Sequence, residues 1–175
     1  MSKTASRHWY LLTSKPREEH RAFDNLTSQG HDVFLPKISK VVKRQGVKSV
    51  SLVPLFPNYL FICLDTVDAN FNAIRSTRGV GAFVKFGLHH ATIQSSLIDA
   101  IKRDVEAKDG HNSLEQLLNY SAGERVEISD GPFKGLQAIY KTKDGLERSI
   151  LLINMLGQDN DVAIENQFFD KINSL

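Results

Sequence analysis

Cysteine is almost absent. Cys63 is the only one in 175 residues, so the chain can form neither an internal disulfide nor a cysteine metal cluster. It stands in the apolar run Tyr59-Leu60-Phe61-Ile62-Cys63-Leu64, where a buried small hydrophobe is expected and not a nucleophile. Apolar runs of bilayer length are missing as well. Stretches such as Ile150–Ile153 fall far short of the roughly 20 residues that cross a membrane, and the opening MSKTASRHWYLL has no apolar signal core. A soluble, cytoplasmic protein without a membrane partner is expected. The six histidines never fall at the i, i+4 spacing that sets two ligands on one helical face, so no metal site is expected. No glycine-rich loop ends in Lys-Ser/Thr and no G-x-S-x-G turn occurs. With no catalytic residues to nominate, neither an enzyme nor a cofactor is expected.

What is present is an uneven distribution of charge. The net charge of +2 conceals 13 Lys+Arg against 6 Asp+Glu in residues 1–96, 3 against 5 in 97–120, and 6 against 9 in 121–175. A basic front favours polyanions through counterion release, and an acidic rear can dock on it or repel the same polyanion. A moderate excess of this size also fits a merely solvated basic surface.

Patterning divides the chain at the same places. The run Trp9–Thr13 reads as a strand, Lys15-Pro16 breaks it, and Arg17–Gln29 reads as a helix with Ala22, Phe23 and Leu26 as its apolar stripe and Gly30 as its stop. A short strand follows at Val33-Phe34-Leu35. Lys37–Val53 alternates basic and apolar residues around Gln45-Gly46, a hairpin with Lys40, Lys43, Arg44 and Lys48 toward its tip. The segment 52–65 leads into a central core strand, 80–87 is a further strand, and apolar positions 97, 98, 101 and 105 mark an amphipathic helix over 96–108. His89-His90 is expected in a surface loop. These residues make an α+β N-terminal domain, placed at 1–106, followed by a polar linker at 107–122.

The last unit, 123–175, is ambiguous. Read with a period of two, it holds five short strands, with Asp144-Gly145 as a hairpin turn between Leu136–Thr142 and Arg148–Asn154, a turn at Gly157–Asn160, and strands at Val162–Ile164 and Phe168–Ile172. Read with a period near 3.6, Leu136, Ile139, Tyr140 and Lys143, then Arg148, Leu151, Leu152, Met155 and Leu156, form helical stripes. A small β-barrel and an α-helical hairpin both fit.

Several ordered motifs resemble one family. WYLLTSKP, PLFPNYLFICLD, RSTRGVGAFVKFG, GERVEISDGPFKGLQAIY and SILLIN look like the NusG family of transcription elongation factors, over about residues 8–105 and 121–173. The LFPNYLF spelling is similar to the specialised RfaH-like branch. The resemblance implies a bacterial factor whose α+β N-terminal domain, of the NusG N-terminal type with an antiparallel sheet and flanking helices, sits on the clamp helices of RNA polymerase and suppresses pausing. It also implies a KOW-type C-terminal domain that is either an autoinhibitory α-helical hairpin or an active five-stranded β-barrel able to contact ribosomal protein S10. A monomer is expected.

Carried over by position, Leu11, Tyr59, Phe61 and Phe86 match the apolar polymerase-binding patch; ordinary core is the competing reading. Lys15, Arg21, Gln29, Thr77 and Arg78 match the surface that reads exposed non-template single-stranded DNA, where cations meet phosphate and guanine and a glutamine reads an adenine edge. Tyr140, Arg148, Leu152 and Met155 match the interdomain contact. Departures are also visible. Asn70-Phe71-Asn72 replaces a His-Thr-Thr run that engages the polymerase gate loop, and Val53 replaces the glutamate that pairs with the arginine at 148. Asn25, Ser28 and Arg75 differ around the DNA surface. Two rivals remain open: a general NusG-like factor without DNA-element specificity, and a KOW-type RNA- or ribosome-binding protein.

Overall fold

The computed structural model describes residues 6–106, Ile139 and residues 144–159. The linker, Tyr140, the strands expected at Val162–Ile164 and Phe168–Ile172, and the strand expected at Leu136–Thr142 apart from Ile139, which is helical, lie outside them.

The opening strand β1 (Arg7–Ser14) pairs antiparallel with β5 (Tyr59–Asp65) in a register that sets Leu11 opposite Phe61 and Leu12 opposite Leu60. Between them come α1 (Glu19–Ser28), β2 (Asp32–Phe34) and the hairpin β3 (Lys37–Arg44) and β4 (Val47–Pro54). After β5 follow α2 (Phe71–Arg75), β6 (Val80–Phe83), β7 (Lys85–Phe86), β8 (His89–His90), β9 (Thr92–Ile93) and α3 (Ser95–Glu106). The main sheet runs β2-β5-β1-β6, with β9 also pairing with β1.

Strand alternation sorts the apolar residues between two cores. On one face Tyr10, Leu12, Leu60, Ile62 and Leu64 pack with Ala22 and Leu26 of α1 and Ile74 of α2. On the other, Trp9, Leu11 and Phe61 pack with Leu97, Ile98 and Ile101 of α3. Lys102 of α3 lies 4.9 Å from the Trp9 ring centre and 5.5 Å from that of Phe34, a cation over two aromatic faces at the rim of this second core.

Most of the expected elements are present. The first helix stops where Gly30 was expected to stop it, with Gly30 N–H donating to Thr27 O and His31 N–H to Leu26 O, the paired bonds of a Schellman end. The hairpin turns at Gln45-Gly46, both with positive φ (49° and 83°), the type I′ geometry that matches strand twist. Three expectations need correction. The strand expected over 80–87 breaks at Val84, whose N–H donates to Leu11 O, so Lys85-Phe86 peels off to pair with His89-His90. His89-His90 is therefore a strand and not a loop. His90 is half-buried, stacked on Phe71 at 4.7 Å between ring centres and packed edge-on against Phe83 and Tyr10. Cys63 is only partly buried, and burial pushes its thiol pKa up.

The largest difference falls in the last unit. Gly145–Asp159 is a 15-residue helix, α4, where the period-two reading placed a turn, the strand Arg148–Asn154 and another turn at Gly157. Asp144 supplies the start: its Oδ1 accepts from Glu147 N–H at 3.0 Å and its carbonyl from Arg148 N–H at 3.1 Å. With that cap in place, Arg148, Ser149, Leu152, Met155 and Leu156 fall on one helical face, and all five are buried. The burial of a whole stripe decides between two periods that local sequence leaves balanced.

Candidate functional site

The apolar patch expected at Leu11, Tyr59, Phe61 and Phe86 comes together on one face of the sheet, because Leu11 and Phe61 are directly paired and Tyr59 precedes Phe61 by two on the same side of β5. Leu11 and Phe61 are wholly buried, whereas Tyr59 and Phe86 are partly buried at the rim. Burial raises the Tyr59 pKa above the usual phenol value. In this arrangement Leu11 and Phe61 are core residues, in a cluster filled by Leu97, Ile98 and Ile101 of α3 and by α4. Leu152, Met155, Leu156 and Ile139 join the cluster that contains Leu55, Phe56 and Phe61.

Polar contacts fix where α4 sits. Arg148, only 4% exposed, donates from Nε to the carbonyl of Leu55 at 2.8 Å. Burial lowers its pKa and neighbouring Asp144 partly restores it. Ser149 Oγ donates to the carbonyl of Pro57 at 3.2 Å and also to Gly145 O. Gly145 lies so close that an added Cβ would stand 2.6 Å from Pro57 Cγ. Val53 cannot supply the carboxylate that the family pattern leads one to expect for Arg148; a backbone carbonyl two residues further along takes part of that role.

A second surface forms around the turn after β1. Lys15 N–H donates to Gly79 O, and Asn25 Nδ2 donates to Arg78 O at 3.0 Å, so the turn after β1, the polar side of α1 and the α2–β6 loop meet. Gly79 makes this possible, since a Cβ there would fall 2.6 Å from Ala22 N and its φ is +91°. Lys15, Arg21 and Arg78 are exposed, with Arg21 Nη1 3.1 Å from Glu18 Oε1 in a solvated pair. Gln29 is exposed and hydrogen-bonds Thr77 at 3.2 Å, but Thr77 itself is only 8% exposed and also donates to Ala73 O. Four of the five expected residues thus present side chains to solvent, while Thr77 serves to hold Gln29.

Sequence reasoning missed Glu19. It is 8% exposed, and its Oε1 accepts from Asn58 N–H at 2.9 Å. Within Arg17-Glu18-Glu19-His20 it looks like any other solvated charge; only the apolar positions at i+3 and i+7, Ala22 and Leu26, show that it starts the buried side of α1.

Among the described residues no group of three His, Cys, Asp or Glu side chains is arranged to hold a metal, and no helix is long and apolar enough to cross a membrane. The family model described as transcription termination factor nusG matches residues 7–102, more than half of the chain. The chain belongs to the NusG family. Similar relatives include the transcription termination/antitermination protein NusG of Bacillus subtilis, 20% identical, covering 95% of this chain and 99% of that protein. NusG of Neisseria meningitidis serogroup B is 22% identical, with 96% and 99% covered. NusG of Campylobacter jejuni is 25% identical, with 94% and 97% covered. A solved structure described as domain interaction in Thermotoga maritima NusG aligns with a TM-score of 0.42 and 22% identity, over 74% of this chain and 76% of that one. This NusG-family chain is accordingly a transcription termination/antitermination factor, and its relatives are transcription factors and not enzymes.

Proposed function

We propose that the protein is an RfaH-like antiterminator, cytoplasmic and monomeric, whose N-terminal unit binds the clamp helices of RNA polymerase and reads exposed non-template DNA. The polymerase is engaged by the sheet face around Leu11, Tyr59, Phe61 and Phe86, and the DNA by Lys15, Arg21, Gln29 and Arg78, with Thr77 setting Gln29. The observation that carries this reading is α4 itself. A segment whose period also fits barrel strands is helical here and lies over the apolar face that a polymerase would need. In the bound state the helix leaves that face, and the C-terminal unit becomes a KOW-type barrel free to contact ribosomal protein S10. Two packings of one short unit are physically accessible when each buries only a small core and one depends on docking.

A general NusG-like factor is the alternative favoured by the names of the relatives. Binding of the full chain to single-stranded oligonucleotides separates the two. Selection from a random single-stranded pool is expected to return one preferred element. Lys15→Ala and Arg78→Ala are each expected to lower affinity and to remove about 0.7 from the log-log salt slope per lost phosphate contact. Uniform binding across the pool, with both variants matching the wild type, would leave the general factor.

A further inference from the structure

The four residues Leu55-Phe56-Pro57-Asn58 face two ways. Outward, the carbonyls of Leu55 and Pro57 accept from Arg148 and Ser149 and so form the seat of α4. Inward, Asn58 is tied to the first surface elements of the chain. Its carbonyl accepts from Ser14 N–H at 2.8 Å, and its N–H donates to Glu19 Oε1 at 2.9 Å. Asn58 has φ +68°, a left-handed conformation that asparagine tolerates better than other non-glycine residues and that its two backbone bonds fix here. One of the two partners is a nearly buried carboxylate, and a charge-assisted bond to a backbone N–H is about twice as strong as a neutral one.

Glu19 also sits on the first turn of α1, two residues before Arg21 and four after Lys15, whose own N–H is fixed to Gly79 O. The first turn of α1 therefore carries Arg21 together with the carboxylate that sets Asn58, and Lys15, in the turn just before it, is tied to the helix start by Glu18 N–H donating to Lys15 O at 3.0 Å. We propose that Glu19 is a positioning residue that couples the α1 surface to the seat of α4. Phosphate drawn to Lys15 and Arg21 shifts the first turn, Glu19 leaves Asn58 N–H, the left-handed turn relaxes, and the carbonyls of Leu55 and Pro57 move away from Arg148 and Ser149. The ligand half of this coupling rests on the proposed reading of the DNA surface; the link between Glu19 and α4 does not.

The test is amide hydrogen exchange on the full chain, followed at Leu151–Leu156 of α4 and, as internal references, in α1 and β1. Glu19→Leu removes the acceptor and is expected to speed α4 exchange about tenfold or more, from the worth of a hydrogen bond to a charged group. Glu19→Gln keeps a neutral acceptor and is expected to fall between wild type and Glu19→Leu, which leaves a reading even where the leucine variant does not fold. Combined with Ser149→Ala, the increase is expected to fall short of the product of the separate increases by about twofold or more, the mark of two coupled sites. Unchanged α4 exchange in the folded variants, a rise shared equally by α1 and β1, or a strictly multiplicative double variant would each overturn the coupling. A 12-nucleotide single-stranded pool is then added: it is expected to speed α4 exchange in the wild type and less so in Glu19→Leu. Failure of the wild type to bind the pool overturns the DNA reading and leaves the graded exchange series to support Glu19. Binding retained with α4 indifferent to Glu19 overturns the coupling alone.

Discussion

Leu152→Ala is the most direct probe of whether α4 is a removable cover. Leu152 is wholly buried, in the cluster shared with Leu55, Phe56 and Phe61. Leucine-to-alanine changes at such sites cost about 2–5 kcal/mol, the transfer term plus whatever cavity the neighbours fail to close. The element that loses the methyl groups decides where this loss appears. If α4 opens by itself, the whole amount falls on the docking equilibrium, and at 1.4 kcal/mol per decade the open state gains roughly thirtyfold to a few thousandfold. The rest of the N-terminal unit keeps its melting temperature, because β1, β5 and α3 retain their mutual packing. Leu26→Ala is the control, equally buried but in the other core between α1 and the sheet, and there the same loss must lower global stability. The assay is hydrogen exchange of α4 amides beside a urea unfolding curve followed at Trp9, with polymerase binding measured on the same samples. If Leu152→Ala shifts the urea midpoint as far as Leu26→Ala does, and α4 exchange stays locked to that of β5, then α4 is an integral layer of the fold and the idea of a cover is wrong.

Three further outcomes follow from the same contacts. Gly145→Ala sets helix propensity, at most about 1 kcal/mol in favour of α4 and less at a first helical position, against a 2.6 Å approach to the ring of Pro57; the ring cannot swing aside, so α4 exchange is expected to rise, and a slower exchange would refute the close seat. Phe61→Ala should cost the N-terminal unit about 3–5 kcal/mol whatever its partner, whereas Tyr59→Ala at the rim should weaken polymerase pull-down with a much smaller change in melting; normal pull-down by Tyr59→Ala would remove that residue from the interface. His90 has its pKa held below the usual histidine value by burial and then by Lys85, so between the two values the unfolded chain binds more protons and stability rises with pH. That contribution is present above about pH 6.5 and lost on acidification; urea midpoints across this range should show it in the wild type and not in His90→Phe.

How much of this was legible in the sequence depends on how local the cause was. Gly30 and Gln45-Gly46 announced their turns because the chemistry of those positions is sufficient by itself, and the two-sided sheet could be read from strand alternation. The helix at Gly145–Asp159 could not be chosen over strands, since Arg148, Leu152 and Met155 satisfy one period and Arg148–Asn154 the other; the sheet face and the carbonyls of Leu55 and Pro57, some 90 residues earlier, break the tie. The residues proposed to face DNA were nominated in the sequence by position, yet only the structure shows Thr77 buried behind Gln29. Glu19 and His90 were missed for one reason: their partners, Asn58 and Phe71, belong to other elements.

The hairpin of β3 and β4 has a consequence for handling the protein. Among the described residues its two strands pair only with each other, and Val41, Val50 and Leu52 share one strongly exposed face of the ribbon. A bare ribbon of this kind invites a second copy to pair edge to edge. Five cations and no acid occur from Lys37 to Pro54, so two such ribbons repel at the distance where strand pairing would begin, and the lysines act as gatekeepers against self-association. This protection is electrostatic, with a reach of about 10 Å at 0.1 M salt and only about 3 Å at 1 M. The high salt used to strip nucleic acid from a basic protein would therefore disarm the gatekeepers at the same time, and concentrated stocks should remain dispersed longest at low ionic strength.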